Sequence, residues 1–198
     1  NPERIVDDIQ ISAGGGHSGY PIMAGNWAKG MVDLASLKKN GSWGCLHEMG
    51  HNENGRNGYL SLPGSGEVVC NVYGCYVINT LCGVPMPEIR AKQWQSAERL
   101  LTDGQGKVWE RADLFERLMF YLRIADAFGW EPFLKIAALE KPGKSGAGEM
   151  PEDWLFLQLS QASGHNLADY FVAWGWKPSA EARQKVAALP PWPPPFQK

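Results

Sequence analysis

Two histidines and a glutamate that could act together on a metal ion share one five-residue motif. The motif is His47-Glu48-Met49-Gly50-His51 and follows the pattern H-E-x-x-H. On a helix of 3.6 residues per turn, histidines at i and i+4 lie about 40° apart, so both imidazoles can reach one cation. Glu48 lies about 100° from His47, beside the ion. These positions predict two metal ligands and a general base that activates water.

A third ligand is needed, because catalytic zinc takes three protein ligands and leaves one position open for water. Glu53 follows His51 by two residues and points about 200° away from it, so it would need a break in the helix. Glu67 lies on the next predicted helix, after a loop long enough to reverse the chain. We therefore predict that His47, His51 and Glu67 hold one Zn²⁺ ion, with Glu53 as the less favoured alternative.

A histidine pair on a helix can also be an ordinary packed pair, because short motifs arise by chance. Two of the four histidines of the chain fall in this one motif, and Glu67 is suitably placed. Both observations favour the metal site.

Residues that would support the chemistry are less clearly indicated. Asn71 lies one helical turn after Glu67 and is predicted to anchor the site or a ligand through its amide. Cys70 and Met49 neighbour ligands in sequence, but their helix angles direct them elsewhere, which favours packing. A developing oxyanion needs a further donor. The candidates, for each of which ordinary packing or surface hydrogen bonding is an equal alternative, are His17, Tyr20, Arg56, Tyr59 and Tyr121.

The elements around the motif predict an α+β fold, with a short N-terminal β segment followed by a mainly helical bundle. Residues 4–12 alternate imperfectly, as in a strand, and Gly14–Gly16 ends the pattern. Tyr20–Met23 is predicted to be extended, with a proline suited to a sheet edge. The predicted helices are Trp43–Glu53, Gly66–Leu81, Pro87–Leu101, Glu110–Phe128, Glu131–Leu139, Glu152–Ser163, Asn166–Trp174 and Ser179–Ala188.

Length predicts a single domain, formed either as one unit or as two lobes. We assign this domain to residues 1–189 and a Pro-rich tail to residues 190–198. The residues between these helices are predicted to be loops, including Arg56–Ser65 and Lys141–Met150. Within the tail, Pro190–Pro195 is predicted to form polyproline II.

Charge and hydropathy exclude several classes of protein. A formal net charge of -2 with 20% charged residues indicates neither a disordered chain nor a nucleic-acid binder. No run of eighteen apolar residues predicts a membrane span, and the N-terminus lacks the layout of a signal peptide. Because the chain does not begin with Met, we expect it to be part of a longer protein.

The four cysteines, Cys45, Cys70, Cys75 and Cys82, form no C-x-x-C pair, which disfavours a thiolate zinc site. Two disulfides and ordinary buried thiols both remain open.

Two segments resemble a known family. H-E-M-G-H-N at 47–52 and G-E-V-V-C-N at 66–71 are similar to the signature of the enhancin-like peptidases of family M60. Residues 11–22 look like the family's strand and edge segment, and residues 159–164 and 173–176 like its closing helical segments. The resemblance implies a gluzincin-like catalytic region whose active helix lies beneath a strand edge that holds extended substrate.

By position, the resemblance implies that His47, His51 and Glu67 bind zinc and that Glu48 is the base. It also implies mucin-like, O-glycosylated protein substrates and a secreted or cell-surface location. Glu53 departs from the glutamine that the family often has there.

We therefore predict a zinc-dependent endopeptidase that cleaves proteins or glycoproteins, with no nucleic-acid partner. One alternative is a noncatalytic module that keeps the metallopeptidase shape and binds a protein or glycan partner. Another is a zinc hydrolase for a different substrate, such as a cell-wall peptide or an ester.

Overall fold

The computed structural model of the protein describes residues 3–11, 14–57, 59–139 and 151–193. Within these ranges, the chain forms three short strands, one 3-10 helix and ten α-helices. It divides into two compact units, the first within Asn1–Gly58 and Gly66–Ala91 and the second within Tyr59–Ser65 and Lys92–Lys198. The predicted α+β class, with a small sheet before many helices, is confirmed.

The sheet of the first unit differs from the prediction in extent and order. Its strands are β1 (Ile5–Asp7), β2 (Gly16–His17) and β3 (Ile22–Ala24), in the order β1-β3-β2. β3 pairs parallel with β1 and antiparallel with β2.

Two strand predictions are therefore wrong. The predicted strand over residues 4–12 is limited to Ile5–Asp7, because the chain turns after Asp8, whose Oδ1 accepts a hydrogen bond from Gln10 N. The segment expected at the edge forms the central strand instead. Pro21 precedes the strand, so its missing N–H is not needed, and Ile22 N donates to Arg4 O over 2.7 Å.

Two short helical elements that were not predicted connect the sheet to the motif. A 3-10 helix spans Asn26–Val32, and α1 spans Leu34–Asn40. Asp33 caps α1 by accepting hydrogen bonds from the backbone N–H groups of Ala35 and Ser36.

The two predicted metal-site helices are present. α2 spans Trp43–Asn57 and α3 spans Gly66–Thr80. α2 continues past its predicted end, so Arg56 is helical and not in the loop. The helices approach closely at Gly50, where an added Cβ would lie 2.2 Å from the carbonyl oxygen of Cys70. Glycine at this position is therefore required for the two backbones to touch.

The remaining helices match the predictions apart from their ends and one interruption. They are α4 (Met86–Thr102), α5 (Val108–Arg111), α6 (Leu114–Phe128), α7 (Glu131–Ala137), α8 (Pro151–Ser163), α9 (Ala168–Ala173) and α10 (Ala180–Lys185). The single helix predicted over 110–128 is two helices, because Asp113 and Glu116 form a capping box that begins α6. None of the described helices combines the length and apolar character needed to cross a bilayer.

The core of the second unit is aromatic. Phe120 on α6 is fully buried, and its ring centroid lies 5.0–5.7 Å from five neighbouring rings. These neighbours are Trp109, Tyr121, Tyr170, Phe171 and Trp174.

The first residues of the predicted tail belong to this second unit. Asn166 exchanges backbone hydrogen bonds with Pro190 and Trp192, and the Trp192 ring lies 4.8 Å from that of Tyr170. The predicted loop over 141–150 and the tail from 194 onward lie outside the described residues.

All four cysteines are free thiols, three of them buried. Of the two alternatives that the sequence left open, the structure has thiols.

Candidate metal centre

Three potential ligand atoms from α2 and α3 converge in the first unit. His47 Nε2 lies 3.1 Å from His51 Nε2, and each of these nitrogens lies 3.3 Å from Glu67 Oε2. Tetrahedral zinc with bonds of about 2.0–2.1 Å places its ligand atoms about 3.3 Å apart. The spacing and the chemistry of these donors therefore fit a single zinc ion.

The cluster is open on one side. The side chains of His47 and His51 are 20% and 23% exposed, and that of Glu67 is 62% exposed. Water can therefore reach the three converging atoms, as a catalytic site with a vacant ligand position requires.

Asn71 orients His47. The amide Nδ2 of Asn71 donates to the backbone oxygen of Glu67 over 2.8 Å, which leaves Oδ1 facing His47 Nδ1, also at 2.8 Å. His47 therefore donates from Nδ1 and keeps the lone pair of Nε2 directed at the cluster. Asn71 is 1% exposed, so water does not compete for these bonds. The contact places Asn71 beside a candidate ligand, and its supporting role at a metal site stays a prediction.

Cys70 lies beside the cluster, so its predicted orientation away from the site is wrong. Its Sγ is 3.3 Å from His47 Nδ1 and donates to the Glu67 backbone oxygen at 2.9 Å. It is the fourth ligand-type group near the three converging atoms. Burial and the charge of Glu67 raise the pKa of the thiol to about 12, so it stays protonated at neutral pH. Sequence spacing alone missed this contact, because it depends on the close approach at Gly50.

Met49 packs as predicted, against a cluster formed by Leu46, Ile78 and Val84.

Glu48 lies on α2 and is 9% exposed. Burial is the main cause that raises the pKa of Cys45 and of Cys70, and the negative charge of Glu48 raises both further. The carboxylate is therefore within electrostatic range of Cys70, which itself contacts His47. Glu53 lies on the uninterrupted part of α2 and is not among the clustered ligand groups, so the helix break that it needed is absent.

Two of the oxyanion candidates lie at the sheet. His17 is the exposed last residue of β2, and Tyr20 is 63% exposed just beyond it. β2 has a strand neighbour on one side only among the described residues, so both side chains flank a sheet edge. No contact brings either of them to the three ligand atoms within the part of the chain that is described.

The other oxyanion candidates are packed or undescribed. Tyr59 is 7% exposed and stacks on Trp154 at 6.1 Å within the second unit. The Tyr121 hydroxyl donates to Leu60 O over 2.7 Å and is fully buried. These contacts favour the packing alternative for both tyrosines. The side chain of Arg56 lies outside the described part of the structure.

Asn52 is a residue of the site region that the sequence analysis did not single out. It follows His51, and its carboxamide pairs with both backbone groups of Gly19, at 2.8 Å and 3.0 Å. The available signal was its place as the last residue of H-E-M-G-H-N.

The chain is similar to known proteins over most of its length. Residues 1–175 match the family described as peptidase M60, enhancin and enhancin-like. TRPM8 channel-associated factor 2 of Homo sapiens is 37% identical over 199 residues, which cover 96% of this chain and 21% of that protein. A TRPM8 channel-associated factor homolog of Xenopus laevis is 36% identical over 205 residues. The chain thus spans about a fifth of the length of these relatives.

Solved structures share the fold. A conserved protein of unknown function from Bacillus anthracis superposes with a TM-score of 0.72 at 21% identity, covering 95% of this chain and 39% of that one. The IMPa metallopeptidase of Pseudomonas aeruginosa superposes with a TM-score of 0.63 at 22% identity, covering 97% and 26%. IMPa has also been solved in complex with an O-glycopeptide.

Proposed function

Because the chain belongs to the family of peptidase M60, enhancin and enhancin-like proteins, we propose that it is a zinc-dependent endopeptidase. The observation that carries the proposal is the convergence of three ligand atoms, 3.1–3.3 Å apart, from two packed helices. That spacing suits one tetrahedral ion, and the exposed side of the cluster leaves room for water and substrate.

His47, His51 and Glu67 would hold the zinc, which supplies Lewis-acid polarisation of water and of the scissile carbonyl. Glu48 acts as the general base: it removes a proton from the attacking water and delivers it to the departing amine nitrogen. Asn71 keeps His47 in the tautomer that presents Nε2. Glu48 directly follows His47 in α2, which suits a base that acts beside the proposed ligands.

The free edge of β2 is the proposed platform for an extended substrate. β2 contacts α2 in the first unit and lies at the edge of the described sheet. Backbone groups along such an edge can pair with an added peptide strand. His17 and Tyr20 flank this edge and are therefore proposed substrate contacts.

We propose O-glycosylated, mucin-like proteins as the substrate class and a secreted or cell-surface location. The complex of the structurally similar IMPa with an O-glycopeptide supports the substrate class. The location rests on that substrate class alone.

A noncatalytic role as a binding module is the second candidate. The observation in its favour is that relatives 33–37% identical to this chain are named as TRPM8 channel-associated factors. The presence of the complete set His47, Glu48, His51 and Glu67 favours hydrolysis.

The test is proteolysis of a defined substrate panel by the zinc-loaded chain. A mucin-type protein, the same protein after enzymatic deglycosylation, a cell-wall peptide and a simple ester are incubated with it, and fragments are identified by mass spectrometry. We expect cleavage of the glycosylated protein at peptide bonds. If only the ester or only the cell-wall peptide were cleaved, the protein would be a zinc hydrolase for that substrate and the proposed substrate class would be wrong.

Glu48→Gln is the matched control for this experiment. The amide cannot act as a base but leaves the three ligands in place, so zinc is retained while cleavage falls about 10²–10⁴-fold. If the parent chain binds zinc but neither protein cleaves anything, the noncatalytic module becomes the better account.

A further inference from the structure

Asn52 ends the motif, and the chemistry proposed above does not use it. Its Oδ1 accepts a hydrogen bond from Gly19 N at 2.8 Å. Its Nδ2 donates to Gly19 O at 3.0 Å and to Glu3 Oε2 at 3.1 Å. The carboxamide thus uses its oxygen and both N–H groups within the fold.

The pairing with Gly19 imitates a neighbouring strand. In a hydrogen-bonded pair of an antiparallel sheet, each residue donates its N–H to the C=O of the other, so both backbone groups of each residue are used. Asn52 satisfies both backbone groups of Gly19 in the same way, but from a helix. Gly19 has a φ of 131°, a conformation that residues with a Cβ rarely adopt, so the chain can turn there toward α2.

β2 is an element that needs such support. It has only two residues, and positive-φ glycines, Gly14 and Gly19, lie on either side of it. Glycines lose more conformational freedom on ordering than other residues, so this segment is costly to fix.

A second contact holds the preceding end of β2. Trp27 Nε1 donates to Gly15 O at 2.6 Å. A Cβ on Gly16 would lie 2.4 Å from the same indole ring, so the strand lies directly on Trp27. Contacts with Trp27 before β2 and with Asn52 after it therefore hold the strand in place. Of these two residues, only Asn52 lies on α2, the helix that carries His47 and His51.

We propose that Asn52 is a positioning residue that fixes the free edge of β2 relative to the metal ligands, so that an extended peptide is presented to them. Asn52 and His51 are adjacent in α2, so one rigid helix sets both the ligand and the strand end. The substrate part of this inference rests on the proposed function, whereas the contact with Gly19 does not.

The first experiment does not depend on turnover. Asn52→Ala is introduced into the zinc-loaded Glu48→Gln protein, and the probe is a threonine-rich peptide carrying one O-linked N-acetylgalactosamine, with its unglycosylated form alongside. We expect zinc content to be unchanged, amide exchange of Gly19 to accelerate about tenfold, and peptide affinity by calorimetry to fall about tenfold.

Asn79→Ala is the matched control. Asn79 also donates its amide to a backbone oxygen, that of Val84 at 2.9 Å, but near the C-terminal end of α3, whereas Glu67 is near the N-terminal end. This variant loses a comparable hydrogen bond, and we expect Gly19 exchange and peptide affinity to match those of the parent.

The second experiment separates binding from chemistry in the otherwise unmodified chain. Asn52→Ala should raise KM about tenfold and leave kcat within about threefold, because the ligands and Glu48 are untouched. Asn52→Asp loses both N–H donors and places a negative charge against Glu3, so we expect a larger rise in KM. Combining it with Glu3→Gln restores one donor and removes the repulsion, and should recover part of the loss.

Three results would each overturn the proposal. The first is a loss of zinc from Asn52→Ala in parallel with its loss of peptide affinity. The second is that Asn52→Ala leaves Gly19 exchange or peptide affinity unchanged, and the third is that the zinc-loaded Glu48→Gln parent binds neither peptide. If wild-type chain cleaves no substrate, the proposed function fails, but Gly19 exchange and peptide affinity still decide the role of Asn52.

Discussion

The α2–α3 pair of the first unit and the aromatic core of the second unit are packed in different ways. Between α2 and α3, buried Asn71 lies with His47 and Cys70 where Gly50 lets the backbones touch. The core around Phe120 is made largely of aromatic rings. In the helix pair, the packing and the geometry of the candidate ligands therefore depend on the same residues. In the aromatic core, the packing can be changed without replacing a candidate ligand.

Loss of the central aromatic ring should give the largest effect. Phe120→Ala removes a fully buried ring and should lower the free energy of unfolding by about 4 kcal/mol. Urea denaturation measures this loss, and Val172→Ala, at a residue that is 45% exposed, is the control with a small effect. Because the aromatic rings around Phe120 include no candidate ligand, we expect folded Phe120→Ala to bind zinc with the affinity of the parent. A parallel loss of zinc affinity would show that the two regions are not separable.

Loss of a ligand should come next. Structural zinc sites with four protein ligands bind the ion with about 10–16 kcal/mol, which is roughly 3 kcal/mol per ligand. We therefore expect Glu67→Ala to lose about 3 kcal/mol of zinc-binding free energy, or more than a hundredfold in affinity. His51→Ala should behave similarly, and competition with a chromophoric chelator measures both. Glu53→Ala is the control on the same stretch of α2 and should bind zinc as the parent does. The reverse ranking would make Glu53 the third ligand.

A single methyl group should disturb the helix pair. Gly50→Ala places Cβ against the Cys70 backbone, which cannot move without shifting α3, so we expect a loss of about 2 kcal/mol in stability and weaker zinc binding together. Gly74→Ala adds the same group on α3 at 3.6 Å from Leu46, an ordinary contact. Because alanine favours a helix interior by about 0.5–1 kcal/mol over glycine, this variant should be slightly more stable than the parent and should keep its zinc affinity. Thermal unfolding and zinc titration measure both properties. If Gly50→Ala loses stability but keeps its zinc affinity, packing and ligand geometry are independent here.

Removal of the orienting amide should have the smallest effect. Asn71→Ala leaves all three ligands but frees the His47 ring, and we expect about a tenfold loss of zinc affinity. Asn71→Asp keeps an oxygen for His47 Nδ1 and loses the donor to the Glu67 backbone, so it should lie between the alanine variant and the parent. Equal affinities for all three proteins would mean that packing alone orients His47.

The helices and the convergence of His47, His51 and Glu67 were accessible from sequence because they follow from local periodicity. His47 and His51 lie one turn apart on any helix, and a loop between two apolar-patterned segments placed Glu67 opposite them. The break before α6 was missed because a capping box at Asp113 and Glu116 outweighed the apolar pattern that runs through it.

The sheet and the supporting contacts were poorly predicted because they depend on tertiary structure. β2 consists of a glycine and a histidine with no alternation to detect, and its neighbours define it as a strand. Cys70 contacts His47 because α2 and α3 approach closely at Gly50, where a side chain would collide with the Cys70 backbone. Asn52 bonds to Gly19, which is 33 residues away, and no local pattern encodes that pairing.

The central claim is that His47, His51 and Glu67 share one zinc ion, and anomalous diffraction at the zinc edge from crystals grown with zinc tests it most directly. We expect one strong peak within bonding distance of Nε2 of both histidines and of the Glu67 carboxylate, and a weaker peak at this position in Glu67→Ala crystals grown with limiting zinc. A peak bonded to Glu53, or no peak between the two histidines of the parent chain, would contradict the account.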